Sequence, residues 1–340
     1  MVEMPDFDDK FGRIAIKKNF ITSEQLTEAL SIQEKVRNER GISKALGEIL
    51  VQRGLITSKQ ITEILEEQGK RLQNQIEGYE VVAKIGQGSM AAVFKAVQHS
   101  TNAIVALKVV LPSLVKSPQN AEKFIKEAEA AVKLEHPNIV RSIEAGQFSG
   151  FHFIAMEYIE GDTLAKILAR EGAFDEINAF EITLYIIAAL NYGLKSNIIH
   201  RNLKPENIII TFEGETKLTD LGIAKLLIDD PSYTWEMWPV SSANYISPEQ
   251  AMGRKDSDLR TDIYSLGAIL YHMLSGRPPF VGKNVVETAA LHIKGKFRPL
   301  EELNPHLHKP LCDIVAKMMA HDREKRYQNY KELVAAIQAI

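Results

Sequence analysis

Ile198-Ile199-His200-Arg201-Asn202-Leu203-Lys204-Pro205-Glu206-Asn207-Ile208-Ile209-Ile210 is the stretch whose reading decides the fold. Apolar residues of strand-like composition stand at both ends. Between them lies a polar segment carrying a histidine, an arginine, a lysine and two asparagines. The pattern predicts a loop of chemically useful side chains slung between two short buried strands.

Working outward, 340 residues allow two or three domains with sizeable cores. Lys plus Arg number 41 against 44 Asp plus Glu, a net charge of -3, which leaves no electrostatic footprint for nucleic acid. Cys312 is the single cysteine, which excludes an internal disulfide and a cysteine zinc cluster. A reducing, cytoplasmic setting is the expectation. Residues 1–10 are acidic and lack the basic start and apolar core of a signal peptide. The longest apolar run, about Phe180 to Leu190, is broken by Glu181 and reads as too short to cross a bilayer.

Near the start the sequence repeats itself. Phe11-Gly12, Phe20-Ile21-Thr22-Ser23, Gln25-Leu26 and Ala29-Leu30 recur 35 residues later as Leu46-Gly47, Leu55-Ile56-Thr57-Ser58, Gln60-Ile61 and Ile64-Leu65. Each unit reads as a short helix, a turn at Asn19 or Gly54, and a second helix whose capping box pairs Thr22 with Gln25 or Thr57 with Gln60. One apolar stripe per helix is too little to bury alone, so the two units are expected to pack together. The repeat resembles the N-terminal domain of type II secretion and type IV pilus assembly ATPases, some of which bind cyclic di-GMP. In those binders an arginine precedes the Leu-Gly pair, whereas Lys10 and Ala45 stand here. A docking or dimerising module is therefore the first reading and a cyclic dinucleotide partner the second.

At Gly78 the period changes. Tyr79 to Ile85 reads as a strand running into Gly86-Gln87-Gly88-Ser89-Met90-Ala91-Ala92-Val93, and Val105-Ala106-Leu107-Lys108 as an apolar strand ending in lysine. Phe124 to Leu134 is an amphipathic helix on which Glu127 and Glu129 face different ways. Phe153 to Ile159 is a strand leading into a connection, and Asp220-Leu221-Gly222 begins thirteen residues after Asn207. Ser247-Pro248-Glu249, the apolar helix that opens at Asp262 and ends at Gly276, and Arg326 complete the series. In this order and at these distances, from Tyr79 to the end, the motifs resemble a bacterial eukaryotic-like (Hanks-type) serine/threonine protein kinase, whose catalytic loop reads His-Arg-Asp-x-x-x-x-Asn.

The resemblance implies an α+β, bilobal kinase fold: a β-rich N-lobe at 79–158 and a helical C-lobe at 159–340. A helical repeat module at 1–70 and a helical linker at 71–78 would precede it. ATP and Mg2+ are the implied cofactors, and a protein the implied substrate or docking partner. By position, Ile85, Gly86, Gly88, Val93 and Ala106 would enclose the nucleotide, with backbone groups of Glu157 and Ile159 at the adenine and Met156 as gatekeeper. Lys108 would pair with Glu127 and hold the α and β phosphates, Lys204 would neutralise the transferring phosphoryl group, and Asn207 and Asp220 would hold magnesium. Arg201 could receive a phosphate from Ser232, Thr234 or Ser241, with Ser242 standing where the family has a threonine that contacts the catalytic loop. Asp262 would brace that loop, and Arg326 would pair with Glu249.

Several positions depart from the pattern, among them Ala91 for the third glycine, Leu221 for the phenylalanine of Asp-Phe-Gly, Ser242 for a threonine, and Asn202 for the aspartate that accepts the substrate proton. Only the last removes chemistry. An amide oxygen accepts a hydrogen bond, but it takes no proton and carries no charge. The expectation is a chain that binds ATP and magnesium while transferring phosphate slowly or not at all. It fits a kinase altered at one position or a natural pseudokinase acting as a scaffold, and the survival of every other motif favours the first.

Overall fold

The computed structural model describes residues 7–40, 46–57, 60, 63–64, 67, 76–87, 91–110, 125–126, 128–148, 151–221 and 240–340. The chain forms two compact units, Met1–Glu122 with Ile143–Tyr158 and Lys123–Ser142 with Ile159–Ile340.

The first unit contains two separate hydrophobic clusters. Helices α1 (Phe7–Lys17), α2 (Ser23–Arg40) and α3 (Leu46–Gln52) carry the repeat. The duplication is visible in what they bury: Phe11, Ile14, Ala15 and Ile21 share a cluster with Leu46, Ile49, Leu50 and Ile56 at equivalent positions. Turn geometry is duplicated too, with Asn19 at φ 56° and Gly54 at φ 68°, the left-handed conformation that asparagine and glycine adopt most readily. Both capping boxes form: Gln25 Oε1 accepts from the Thr22 amide at 2.8 Å, and Gln60 Oε1 accepts from the Thr57 amide at 2.8 Å. Arg53 of the second repeat pairs with Glu28 of the first at 2.7 Å.

The second cluster belongs to a sheet of order β1-β2-β3-β5-β4, from strands β1 (Tyr79–Gln87), β2 (Ala91–Gln98), β3 (Ala103–Val110), β4 (Ser142–Phe148) and β5 (Phe151–Glu157). Side chains alternate across the pleat with period 2. Phe94 and Ala96, Val105 and Leu107, and Phe153 and Ala155 therefore share one face, where they pack with Tyr79 and Val81. Ile76 joins them, so the sheet's core begins inside the stretch expected to be a linker.

The second unit is organised by two helices, Glu176–Lys195 and Leu259–Ser275, whose buried residues dominate a single core. The first has 20 residues, longer than the apolar run suggested, and by length and composition alone would suit a membrane span. Its buried side chains, Ile182, Ile186, Ile187 and Leu190 among them, are part of that core. Asp258 caps the second helix by accepting from Arg260 N, and Gly276 closes it at φ 72°. A small antiparallel sheet, β6 (Gly161–Thr163), β7 (Ile208–Thr211) and β8 (Thr216–Leu218), completes the frame.

One expectation is corrected. Ile208–Ile210 lies in strand β7, but Ile198 and Ile199 form no strand. The chain leaves its helix through Asn197 at φ 57°, the Ile198 amide donates back to Gly193 O, and the His200 and Arg201 amides find a side-chain acceptor instead of a ladder. In β6, Gly161 is pressed against β7, where an added Cβ would run into Ile210 O and meet Thr211 Cα at 2.8 Å. Backbone cannot step aside as a side chain can. Gly161→Ala is expected to cost about 1–3 kcal/mol, as overpacking does, read from the denaturant midpoint against the parent chain.

Candidate active site

The loop between Ile198 and Ile210 is held from beneath by one carboxylate. Asp262 Oδ2 accepts from the His200 amide and Oδ1 from the Arg201 amide, both at 2.8 Å. Arg201 takes φ 61°, a conformation a non-glycine residue keeps only when its surroundings demand it. Asp262 is 1% exposed; burial pushes its carboxyl above the usual range, opposed by the charges and amides of His200 and Arg201. Behind the loop, Gln250 Nε2 donates to Arg201 O at 2.7 Å, while its Oε1 accepts from the Ser247 amide. Gln250 escaped the sequence reading, although Ser247-Pro248-Glu249-Gln250 has the spacing of a capping box.

Position 202 sits inside this brace. The Asn202 amide donates to His200 Nδ1 at 3.3 Å, which leaves Nε2 to carry the imidazole proton toward Thr219 O at 3.1 Å. Asn207 is buried, and its Nδ2 donates to Asn202 O at 2.9 Å. Its Oδ1 is thereby the atom available to a cation. The Asn207 carbonyl accepts from the Thr219 amide at 2.9 Å, fixing the strand that delivers Asp220, itself at φ 68°. An amide oxygen and a carboxylate suit magnesium, which takes few protein oxygens and completes its shell with water and phosphate. Lys204 Nζ donates to Ser242 Oγ at 2.9 Å across 38 residues of sequence, and Ser242 is buried.

The segment that follows is anchored by an ion pair. Arg326 Nη1 and Nη2 donate to the two oxygens of Glu249 at 2.8 and 2.9 Å, Thr261 Oγ1 adds a third bond at 2.9 Å, and both charged groups are buried. Burial would raise the Glu249 carboxyl, but the Arg326 hydrogen bonds and charge hold it below the carboxylate range. Two tyrosine–histidine pairs flank the same segment: Tyr245 Oη lies 2.7 Å from His272 Nδ1, and Tyr264 Oη 2.8 Å from His292 Nδ1. Burial lowers His272 to about 4 and His292 to about 3.

The remaining sequence-predicted residues lie mainly in the first unit. The pleat puts Val93, Ala106, Lys108 and Met156 on the sheet face opposite the aromatic cluster, with Val93 paired to Lys108 and Ala106 to Met156. Gly86 faces Val93, its neighbour Ile85 is exposed, and Glu157 ends β5; Ile159, in the second unit, is half-buried. Gly88, Glu127, Ser232 and Thr234 lie outside the described residues, as do the side chain of Ser241, the side chain of Lys10 and all of Ala45.

A lysine tied to the segment before Glu249, an asparagine turned onto position 202 and an aspartate bracing the loop agree with a comparison of whole families. Residues 79–336 match the protein kinase domain. The chain belongs to the protein kinase family. It is 36% identical over 262 residues to the serine/threonine-protein kinase PknB of Mycobacterium leprae, covering 76% of this chain and 42% of that protein. To the serine/threonine-protein kinase PrkC of Bacillus subtilis it is 33% identical over 269 residues, 79% of this chain and 41% of that one. The kinase thus spans about four-tenths of the length of these relatives. The crystal structure of the Mycobacterium tuberculosis PknI kinase domain superposes with a TM-score of 0.63 at 25% identity, over 78% of this chain and 98% of that chain. The β-sheet N-lobe and helical C-lobe are therefore those of a bacterial serine/threonine kinase.

Removing one partner of the buried pair should cost far more than removing both. Arg326→Met, which leaves Glu249 buried and uncompensated, is expected to lose about 3–5 kcal/mol, and adding Glu249→Leu should recover part of it; urea unfolding of the single and double variants measures the coupling. The histidines predict acid sensitivity. Because His292 stays neutral in the fold but takes a proton in the unfolded chain below 6.5, stability is intact above that pH and falls as pH drops toward 4. The slope from this one residue approaches about 1.4 kcal/mol per pH unit. Denaturant midpoints at pH 7, 6 and 5 should show the loss, and His292→Phe should flatten it.

Proposed function

We propose that this chain is a serine/threonine kinase domain that binds Mg-ATP but transfers phosphate poorly because position 202 offers no base. The observation that carries the reading is the fully braced loop around Asn202: Asp262, His200, Gln250 and Asn207 all hold its backbone, yet the side chain it presents is an amide. Phosphoryl transfer depends chiefly on positioning and charge neutralisation. Lys108 and Glu127 serve the α and β phosphates, Lys204 the transferring group, and Asn207 with Asp220 the metal. Held by Asn207 and Asp220, Mg2+ would supply positive charge against the charge that develops on the transferring phosphate. What Asn202 supplies is a hydrogen bond to the acceptor hydroxyl, with nowhere for its proton to go.

The N-terminal repeat, residues 1–70, is read as a docking module joined through 71–78 to the kinase domain at 79–340. Its duplicated core supports that assignment, and the resemblance of its sequence motif to the secretion and pilus ATPase domain makes cyclic di-GMP the ligand to test on it. ATP, magnesium and a cytoplasmic protein substrate complete the proposal.

Two measurements test it. Asn202→Asp is expected to raise incorporation of labelled phosphate roughly 10²- to 10⁴-fold; an Asp variant no faster than the parent, with nucleotide bound, would reject the assignment. Mg-ATP at about a hundred times its Kd should add about 2.7 kcal/mol to the parent's stability, seen as a higher Tm. That gain should vanish in Asp220→Ala, and a parent Tm indifferent to Mg-ATP would remove nucleotide binding itself.

A further inference from the structure

Lys95 rests its charge on a ring rather than on a carboxylate. Its Nζ lies 4.3 Å from the centre of the Tyr158 ring, inside the roughly 6 Å over which an aromatic face attracts an ammonium. Among the described residues Lys95 forms no ion pair, so the ring is the partner of its charge. Both side chains are half-buried, which removes part of the water that would compete with the contact.

The strand register shows where this contact stands. Lys95 of β2 is paired with Ala106 of β3, and Ala106 with Met156 of β5, a row on the face opposite the aromatic cluster. That is the face to which the family pattern assigns the nucleotide. Val105 with Glu157 is the last pair at this end of β3 and β5, and Tyr158 lies one residue beyond it. The next ladder opens at Gly161 with Thr211, so residues 158–160 join the two ladders without a rung of their own. At one end the Phe212 amide donates to Glu160 O at 3.2 Å; at the other the Tyr158 ring rests against Lys95. Along the chain Tyr158 stands between Glu157 and Ile159, the two residues whose backbone groups are assigned to adenine. Hydrogen bonds to a planar base need both peptides at the right distance and angle at once. A ring held against β2 restricts the rotation of those peptides before the ligand arrives.

We propose that Lys95 is a positioning residue for the nucleotide: its charge clasps the Tyr158 ring to β2 and so preorganises the adenine-binding backbone, an inference that rests on the nucleotide reading above. Without the clasp only a fraction of molecules presents the competent geometry, and the apparent Kd rises in inverse proportion to that fraction. The strength of a half-buried cation–π contact limits the loss to roughly three- to tenfold.

Calorimetric titration of the full chain with Mg-ATP, and separately with adenosine, tests this. Lys95→Met keeps the stem and removes the charge, and should weaken both ligands by the same factor, roughly three- to tenfold. Lys95→Arg, whose guanidinium also stacks on an aromatic face, should bind as the parent does. Tyr158→Leu should reproduce the loss, and the double variant of Lys95→Met with Tyr158→Leu should be no weaker than either single one. Lys317→Met removes a comparable contact in the second unit, Nζ 4.2 Å from the Tyr327 ring centre, and should leave both affinities unchanged. Unchanged affinities in Lys95→Met overturn the clasp. So does a loss confined to Mg-ATP, which would put the ammonium on phosphate, and so do losses that multiply in the double variant. Lys95→Arg binding as weakly as Lys95→Met, or an equal loss in Lys317→Met, rejects it as well. If Tyr158→Leu fails to fold, the two variants at position 95 decide. A parent chain that binds neither ligand removes the nucleotide reading and the clasp together; a parent that binds both while Lys95→Met loses nothing removes the clasp alone.

Discussion

The carboxylate of Asp262, accepting both the His200 and the Arg201 amide, is the contact on which the site depends. It joins segments more than 60 residues apart in sequence and lies in the first turn of the largely buried Leu259–Ser275 helix. Two amides that would otherwise point into an apolar core without partners are satisfied by one side chain, which explains how a loop can run through the interior without a strand ladder. The left-handed backbone at Arg201 is the strain this arrangement sustains. Gln250 closes the opposite side by donating to the Arg201 carbonyl, so the peptide groups on both sides of Arg201 are fixed.

From this brace the geometry extends in two directions. Through His200 and Thr219 it reaches Asp220, and through Asn207 it returns to the carbonyl of position 202. Through Lys204 and Ser242 it reaches the segment anchored by Glu249 and Arg326. That buried pair is saturated: Arg326 also donates to the carbonyls of Ala320, Arg260 and His321 and stacks over Tyr264. A charge pair so enclosed is weak evidence for net stability, because desolvation offsets attraction, but it fixes where the segment runs. The scaffold around Asn202 is thus preorganised independently of the side chain at 202.

Much of this was legible beforehand because it rests on local rules. The repeat announced its turns and capping boxes, since Thr22 with Gln25 and Thr57 with Gln60 need only their spacing. The strand-like runs Tyr79 to Ile85, Val105 to Lys108 and the one from Phe153 announced part of the sheet, and Gly276 the end of its helix. Asp262, Glu249 and Arg326 were identified through family resemblance; periodicity would have left them as ordinary charges. What was missed is instructive: the Ile198-Ile199 doublet looks like a strand because apolar pairs suit strands, yet the Ile198 amide bonds back to Gly193 O and the His200 and Arg201 amides that follow the doublet go to Asp262.

The sequence by itself determined the family, the order of the elements, the duplicated module and the identity of residue 202, because each depends on residue type and spacing along the chain. Only the tertiary structure decided which side chains from distant segments meet, since that is a sum over neighbours. Lys95 belongs to no motif, and Tyr158 reads as the end of a strand-like run. Their meeting as ammonium over ring follows from packing, which no spacing rule encodes.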